Sequence, residues 1–113
     1  MMIKVVHNQN ICFEKILLAD NPLTRVIGLM FKSKPTGDGL LLDPCNSIHT
    51  FFMRYPLDVA FLDNSNKIVK IIRGIKPWRM TWIYFKAKKT LELPAGRMPM
   101  EWREGDILEV RNV

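Results

Sequence analysis

The sequence has no uninterrupted apolar stretch near the roughly 20 residues needed to cross a bilayer. Its start, Met1 to Asn10, lacks a hydrophobic signal segment followed by small residues. Together these absences predict a cytoplasmic protein with no membrane partner. Cysteine is scarce: Cys12 and Cys45 are the only two, too few for a disulfide framework, and both are expected to stay reduced. No repeat, low-complexity tract or flexible linker divides the 113 residues. That length supports one hydrophobic core and not two, so residues 1–113 are read as a single domain. Hydrophobic residues at 48% and charged residues at 25% are ordinary for soluble globular chains, which excludes disordered and fibrous classes.

Acidic residues are missing from one segment. Between Arg73 and Lys89 there are six basic residues (Arg73, Lys76, Arg79, Lys86, Lys88 and Lys89) and no acid, and the rest of the chain is balanced at 11 basic and 11 acidic residues. The formal net charge of +6 is therefore concentrated in one stretch, which implies a surface rather than a diffuse solubilising excess.

What is present is a series of short β-type runs punctuated by Pro and Gly. Ile3 to Val6, Ile16 to Leu18 and Leu40 to Leu42 are aliphatic or β-branched runs. Val59 to Leu62 and Ile68 to Ile72 are joined by Asp63-Asn64-Ser65-Asn66, which predicts a hairpin. The near-continuous apolarity of its two arms implies burial. Thr90 to Leu93 places Leu91 and Leu93 on one face, and Ile107 to Val110 is entered through Gly105-Asp106. This predicts a mostly β fold, a small barrel or sandwich of about seven short strands. One short helix is expected after Pro22, from the i, i+3, i+4, i+7 spacing of Leu23, Val26, Ile27 and Met30, with Asp20 or Asn21 as cap.

Four groups of residues recur in a characteristic order: Gly28-Leu29-Met30-Phe31, Thr50-Phe51-Phe52-Met53-Arg54, Leu57 to Asp63, and Leu91-Glu92-Leu93-Pro94-Ala95-Gly96. In this the chain resembles the family known as domain of unknown function number 192, from about Thr24 through Asp106. The resemblance implies a small β-sandwich or barrel-like domain in which the Met53 to Asp63 and Leu91 to Gly96 segments supply central strands. It implies no activity. Many members carry a longer connection with an Asn-Thr pair where this chain has Arg54-Tyr55-Pro56, so no role of that threonine is carried over.

Two constellations carry chemistry. The first is Cys45, His49, Arg54, Asp58 and Asp63, five reactive or charged side chains within 19 residues. Cys45 and His49, four apart, share a face of either a strand or a helix. A thiol beside an imidazole is the minimal activated nucleophile, and Asp58 could orient the ring. The competing reading is structural, with Cys45 as a small hydrophobe, His49 satisfied by backbone and Asp58 capping a turn. Arg54 and Asp58 could pair as a structural tie or an anion clamp. Cys45 and His49 supply two metal ligands without a second matching pair, so no metal is expected, and no cofactor. Phe51-Phe52-Met53 reads as core.

The second is the basic segment itself, in which Trp78, Trp82, Tyr84 and Phe85 are interleaved with the cations. Cations and exposed rings together form a platform for single-stranded nucleic acid: charge follows the phosphates and rings stack on bases. The alternative is a solvated loop with its rings turned inward. The leading expectation is a non-enzymatic binding module for an anionic ligand or nucleic acid through Arg54, Arg73, Lys76, Trp78, Arg79, Trp82, Lys86, Lys88 and Lys89. The alternatives are a small enzyme using Cys45, His49 and Asp58, and a structural accessory domain.

Overall fold

The computed structural model describes residues 1–21 and 37–112. Seven strands run in chain order: β1 (Met2–His7), β2 (Asn10–Ala19), β3 (Gly39–Leu42), β4 (Leu57–Leu62), β5 (Ile68–Ile75), β6 (Lys89–Pro94) and β7 (Glu109–Asn112). Each overlaps one of the expected runs, although β2 begins at Asn10, well before the expected Ile16. The last is entered later than expected, because Ile107 instead bridges to Lys67. The helix expected from Leu23 to Met30 lies outside the described residues.

All seven strands form one sheet in the order β5-β4-β6-β3-β2-β1-β7. The β1–β2 hairpin turns at Asn8 and Gln9, both with positive φ (49° and 69°), the geometry of a two-residue turn that follows strand twist. The β4–β5 hairpin is the one expected: Asp63 Oδ1 accepts from the amides of Ser65 (2.8 Å) and Lys67 (3.0 Å), and Asn66 takes the left-handed position. Strands β2 and β3 pair in parallel, whereas β1 with β2, β1 with β7, β3 with β6, β4 with β6 and β4 with β5 are antiparallel.

The sheet curls but does not close into a barrel. Its edge strands approach at one corner, where the Ile68 amide donates to the Asp106 carbonyl (2.8 Å) and the Leu108 amide to the Asn66 carbonyl (2.9 Å). Farther along β5, Glu104 Oε2 accepts from the Ile71 amide, and the Arg73 guanidinium donates to the carbonyls of Met98 (3.0 Å) and Pro99 (2.9 Å). An edge occupied in this way is a poor template for pairing with another chain.

Curling gives the sheet an inner and an outer apolar side. Alternation along β4 sends Ala60 and Leu62 inward, to join Ile16, Leu41, Leu91, Leu93 and Trp102, and sends Leu57, Val59 and Phe61 outward. The outer side is not left to water: Ile48, Met53 and Ala87 pack over it, bringing segments 43–56 and 76–88 across the sheet. Both faces of β4 are therefore covered, which explains its unbroken burial. Gly39 opens β3 where strands crowd. A Cβ there would fall inside contact distance of the Glu92 carbonyl oxygen and 2.7 Å from Leu93 Cδ2. Gly39→Ala is expected to cost about 2 kcal/mol through overpacking, read as a lower urea midpoint with an unchanged slope.

Candidate binding surface

Segments 43–56 and 76–88 hold each other by backbone bonds punctuated by two threonines. The Cys45 amide donates to the Lys88 carbonyl (2.8 Å), the Tyr84 amide to the Asn46 carbonyl (2.9 Å), and the Thr81 amide to the Ile48 carbonyl (2.9 Å). The Thr81 hydroxyl accepts from the Ile48 amide (3.0 Å) and donates to the Trp82 carbonyl (3.0 Å). Thr50 is fully buried, and its hydroxyl donates to the Lys76 carbonyl (2.7 Å) and accepts from the Arg79 amide (2.9 Å). Its own amide donates to the Arg79 carbonyl (2.7 Å), and its carbonyl accepts from the amides of Trp78 (2.9 Å) and Met53 (3.2 Å). One small β-branched residue thus fastens two loops.

This fastening decides where the aromatics point. The expected inward packing of Phe51-Phe52-Met53 holds for Met53, which is buried, but Phe51 is half-buried and Phe52 is 45% exposed. Phe52 and Trp78 both sit at φ 64°, a left-handed backbone that bulky side chains rarely adopt and that costs of order 1 kcal/mol each. Their rings meet edge to face with centroids 4.7 Å apart. Phe51 lies 6.0 Å from Trp78 and stacks on His49 at 5.0 Å, so four rings form a row.

Beyond that row the basic segment carries Trp82 at 83% and Phe85 at 81% exposure, with Trp78 at 56%. Of the four aromatics in the segment, Tyr84 turns inward and packs on Phe61 with centroids 4.7 Å apart. Lys76, Arg79, Lys86 and Lys88 are exposed. The other two cations are engaged: Arg73 with the carbonyls named above, and Lys89 through a 2.8 Å bond to Asn66 Oδ1.

The first constellation is dispersed. Cys45 packs against the outer apolar side, its thiol donates to the Ser47 carbonyl (3.0 Å), and the shallow groove of about 290 Å³ that it lines is completed by Pro44, Asn46, Ala87 and Lys88, without His49. His49 is exposed, and its Nδ1 accepts from the Phe51 amide (3.2 Å), which leaves the ring proton on Nε2. Asp58 belongs to the opposite side of the sheet. Its Oδ1 accepts from the Gly74 amide (2.9 Å), and its Oδ2 accepts from the amides of Gly96 (2.9 Å) and Met98 (3.3 Å). The carboxylate is occupied in tying the end of β5 and the turn after β6 to β4, and it does not orient His49. Arg54 is exposed, and among the described residues no ion pair joins it to Asp58. The two cysteines are not joined by a disulfide. Among the described residues no group of three His, Cys, Asp or Glu side chains is placed to hold a metal, and no helix is long and apolar enough to cross a membrane.

The sequence passes over one buried acid. Glu92 alternates with Leu91 and Leu93, which suggests a solvated side chain, yet it lies under the covered outer side, 6% exposed. Burial pushes its carboxyl up to about 8. The Tyr55 hydroxyl, also buried and without a hydrogen-bond partner, is pushed up by burial and further by the neighbouring Glu92. Only the Leu-Glu-Leu-Pro-Ala-Gly motif hints that this position is special.

A curled, mixed seven-stranded sheet with one face wrapped by irregular aromatic-bearing segments is a fold with solved examples. The crystal structure of a protein of unknown function from Novosphingobium aromaticivorans superimposes with a TM-score of 0.78, at 20% identity over 96% of this chain and 84% of that one. The sequence itself matches the DUF192 family, described as "Uncharacterized ACR", over residues 3–110, and the chain belongs to that family. Archaeal relatives include the UPF0127 protein PH1112 of Pyrococcus horikoshii, 35% identical over 81% of this chain and 84% of its own length. The UPF0127 protein PF1050 of Pyrococcus furiosus is 38% identical over 84% of each.

Proposed function

We propose that this protein is a non-enzymatic binding module that takes single-stranded nucleic acid on the surface of segment 76–88. The observation that carries this reading is the exposure of Trp82 and Phe85, both above 80%, beside the exposed cations Lys86 and Lys88. Rings left this far in water forgo about 25 cal/mol for each Å² of apolar area, and large exposed apolar surface marks an interaction site. The absence of any acid between Arg73 and Lys89 selects an anionic partner. Rings on which bases stack and cations that follow phosphates are the two parts a single strand requires. This reading also places the protein's work in the cytoplasm.

Titration with oligothymidylate, followed by quenching of tryptophan fluorescence, tests it. Binding should weaken with salt along a log–log slope of about −2 to −3, as expected for four exposed cations at about 0.7 per phosphate contact. Replacing Lys86 and Lys88 together by Ala should reduce the magnitude of that slope by about 1 to 1.5. The double replacement Trp82→Ala, Phe85→Ala should weaken binding at least tenfold. Absence of binding, or an affinity indifferent to salt, would remove the proposal.

A further inference from the structure

We propose that Phe52 and Trp78, set by Thr50, form a preorganised platform against which one unpaired nucleobase stacks, a station separate from Trp82 and Phe85. This inference rests on the binding reading above and adds to it residues that the charge pattern does not reveal. Phe52 lies outside the basic segment altogether, and Thr50 is fully buried.

Three observations converge on the platform. The first is conformational: two large aromatic residues on different loops both take the left-handed backbone at φ 64°, and both present rings that are about half in solvent. Disfavoured backbone persists where surrounding structure over-determines it, and such positions gather at ligand clamps. The second is the device that holds them. The Thr50 hydroxyl bridges Lys76 and Arg79 on either side of Trp78, and the Thr50 carbonyl receives the Trp78 amide itself. Phe52 falls between Thr50 and Met53, whose amide closes a turn onto the same carbonyl. The backbone carrying both rings is thus tied to Thr50, so less conformational freedom is left to lose when a ligand arrives.

The third observation is charge. Lys76 and Arg79 are exposed, on the two sides of Trp78 in the chain, and Arg79 Nη1 donates to the Trp78 backbone carbonyl (3.4 Å). A base laid against the Trp78–Phe52 pair would have its flanking phosphates within the reach of these two cations. A phosphate alone would gain nothing from the rings, and a cationic partner would meet two like charges. The chemistry therefore fits an unpaired base within an anionic strand. Phe51, half-buried, 6.0 Å from Trp78 and stacked on His49, extends the row.

The test uses the full chain and two fluorescein-labelled strands of about 15 nucleotides, oligothymidylate and its abasic counterpart, with anisotropy as the readout. Trp78→Ala and Thr50→Val should each weaken oligothymidylate binding about tenfold, the effect of losing one stacked base. Neither should alter the salt slope or the binding of the abasic strand. Thr50→Ser, which restores the hydroxyl, should recover most of the lost affinity, a result that a general packing role for Thr50 does not produce. If Thr50→Val does not fold, Trp78→Ala decides the matter, because that ring is more than half in solvent. Wild-type affinity in Trp78→Ala, together with weakened binding in the double variant Trp82→Ala, Phe85→Ala, would overturn the platform and leave the wider binding reading intact. Failure of the wild-type protein to bind either strand would overturn both.

Discussion

Replacement of Asp58 by alanine is expected to lower the free energy of unfolding by about 3 kcal/mol or more, making it one of the most damaging substitutions in the chain. The side chain is buried and accepts from three amides, those of Gly74, Gly96 and Met98. Deleting the acceptor leaves the buried Met98 amide to bear a desolvation cost of about 1–3 kcal/mol and removes the bonds to the more accessible Gly74 and Gly96 amides, for which water compensates only in part. Asp58→Asn should fall between wild type and alanine, because the amide retains one acceptor oxygen but presents an N–H pair to donors. Equilibrium urea unfolding reads the difference as a change in midpoint at constant slope. A loss below about 1 kcal/mol would show that water substitutes for the carboxylate and that the tie is unimportant. This contact also accounts for two of the family motifs at once. Leu57-Asp58 and Pro94-Ala95-Gly96 are remote in sequence but form one joint, in which Gly96 at φ 89° donates its amide to the acid.

Stability is expected to fall by roughly 3 kcal/mol between pH 5 and pH 8 on account of Glu92 alone. Its carboxyl is pushed from 4.5 up to about 8 by burial. Between those values the folded protein holds a proton that the unfolded chain has released, so raising the pH favours unfolding. The contribution is fully present below pH 4.5 and is lost as pH rises through about 8. Glu92→Gln keeps the shape and abolishes the titration. The variant should match wild type near pH 5, lack this decline at higher pH, and be the more stable protein at pH 8. Parallel profiles for wild type and Glu92→Gln would refute the assignment. Tyr55 gives a second readout: with Glu92 removed, the phenol loses the neighbouring charge that raises it and should ionise at lower pH, visible in its ultraviolet absorbance.

Much of the architecture is legible in the residues because strands and turns are local. Alternation and short apolar runs locate all seven strands, and Asp63-Asn64-Ser65-Asn66 locates the β4–β5 turn through side chains that bond their own backbone. The candidate nucleophile reads differently. Cys45, His49 and Asp58 lie within 14 residues, and on paper they look like neighbours. Proximity in number says nothing about which side of a sheet a residue serves. The segment holding Cys45 and His49 crosses the outer side of the sheet, whereas Asp58 enters β4 on the inner one.

Residue order is enough to specify a mostly β protein of about seven strands, its family, and the position of its acid-free basic stretch. Each of these depends on residue types at short range. What is buried and what is offered to solvent depends on long-range packing. Period-two alternation tells which residues share a face but not whether something covers that face. Here segments 43–56 and 76–88 cover the outer side, so Glu92 is enclosed where alternation suggests water. Trp82 and Phe85 are left in water where hydrophobicity suggests core, and Thr50 turns Phe52 and Trp78 outward through bonds that span 26 to 29 residues.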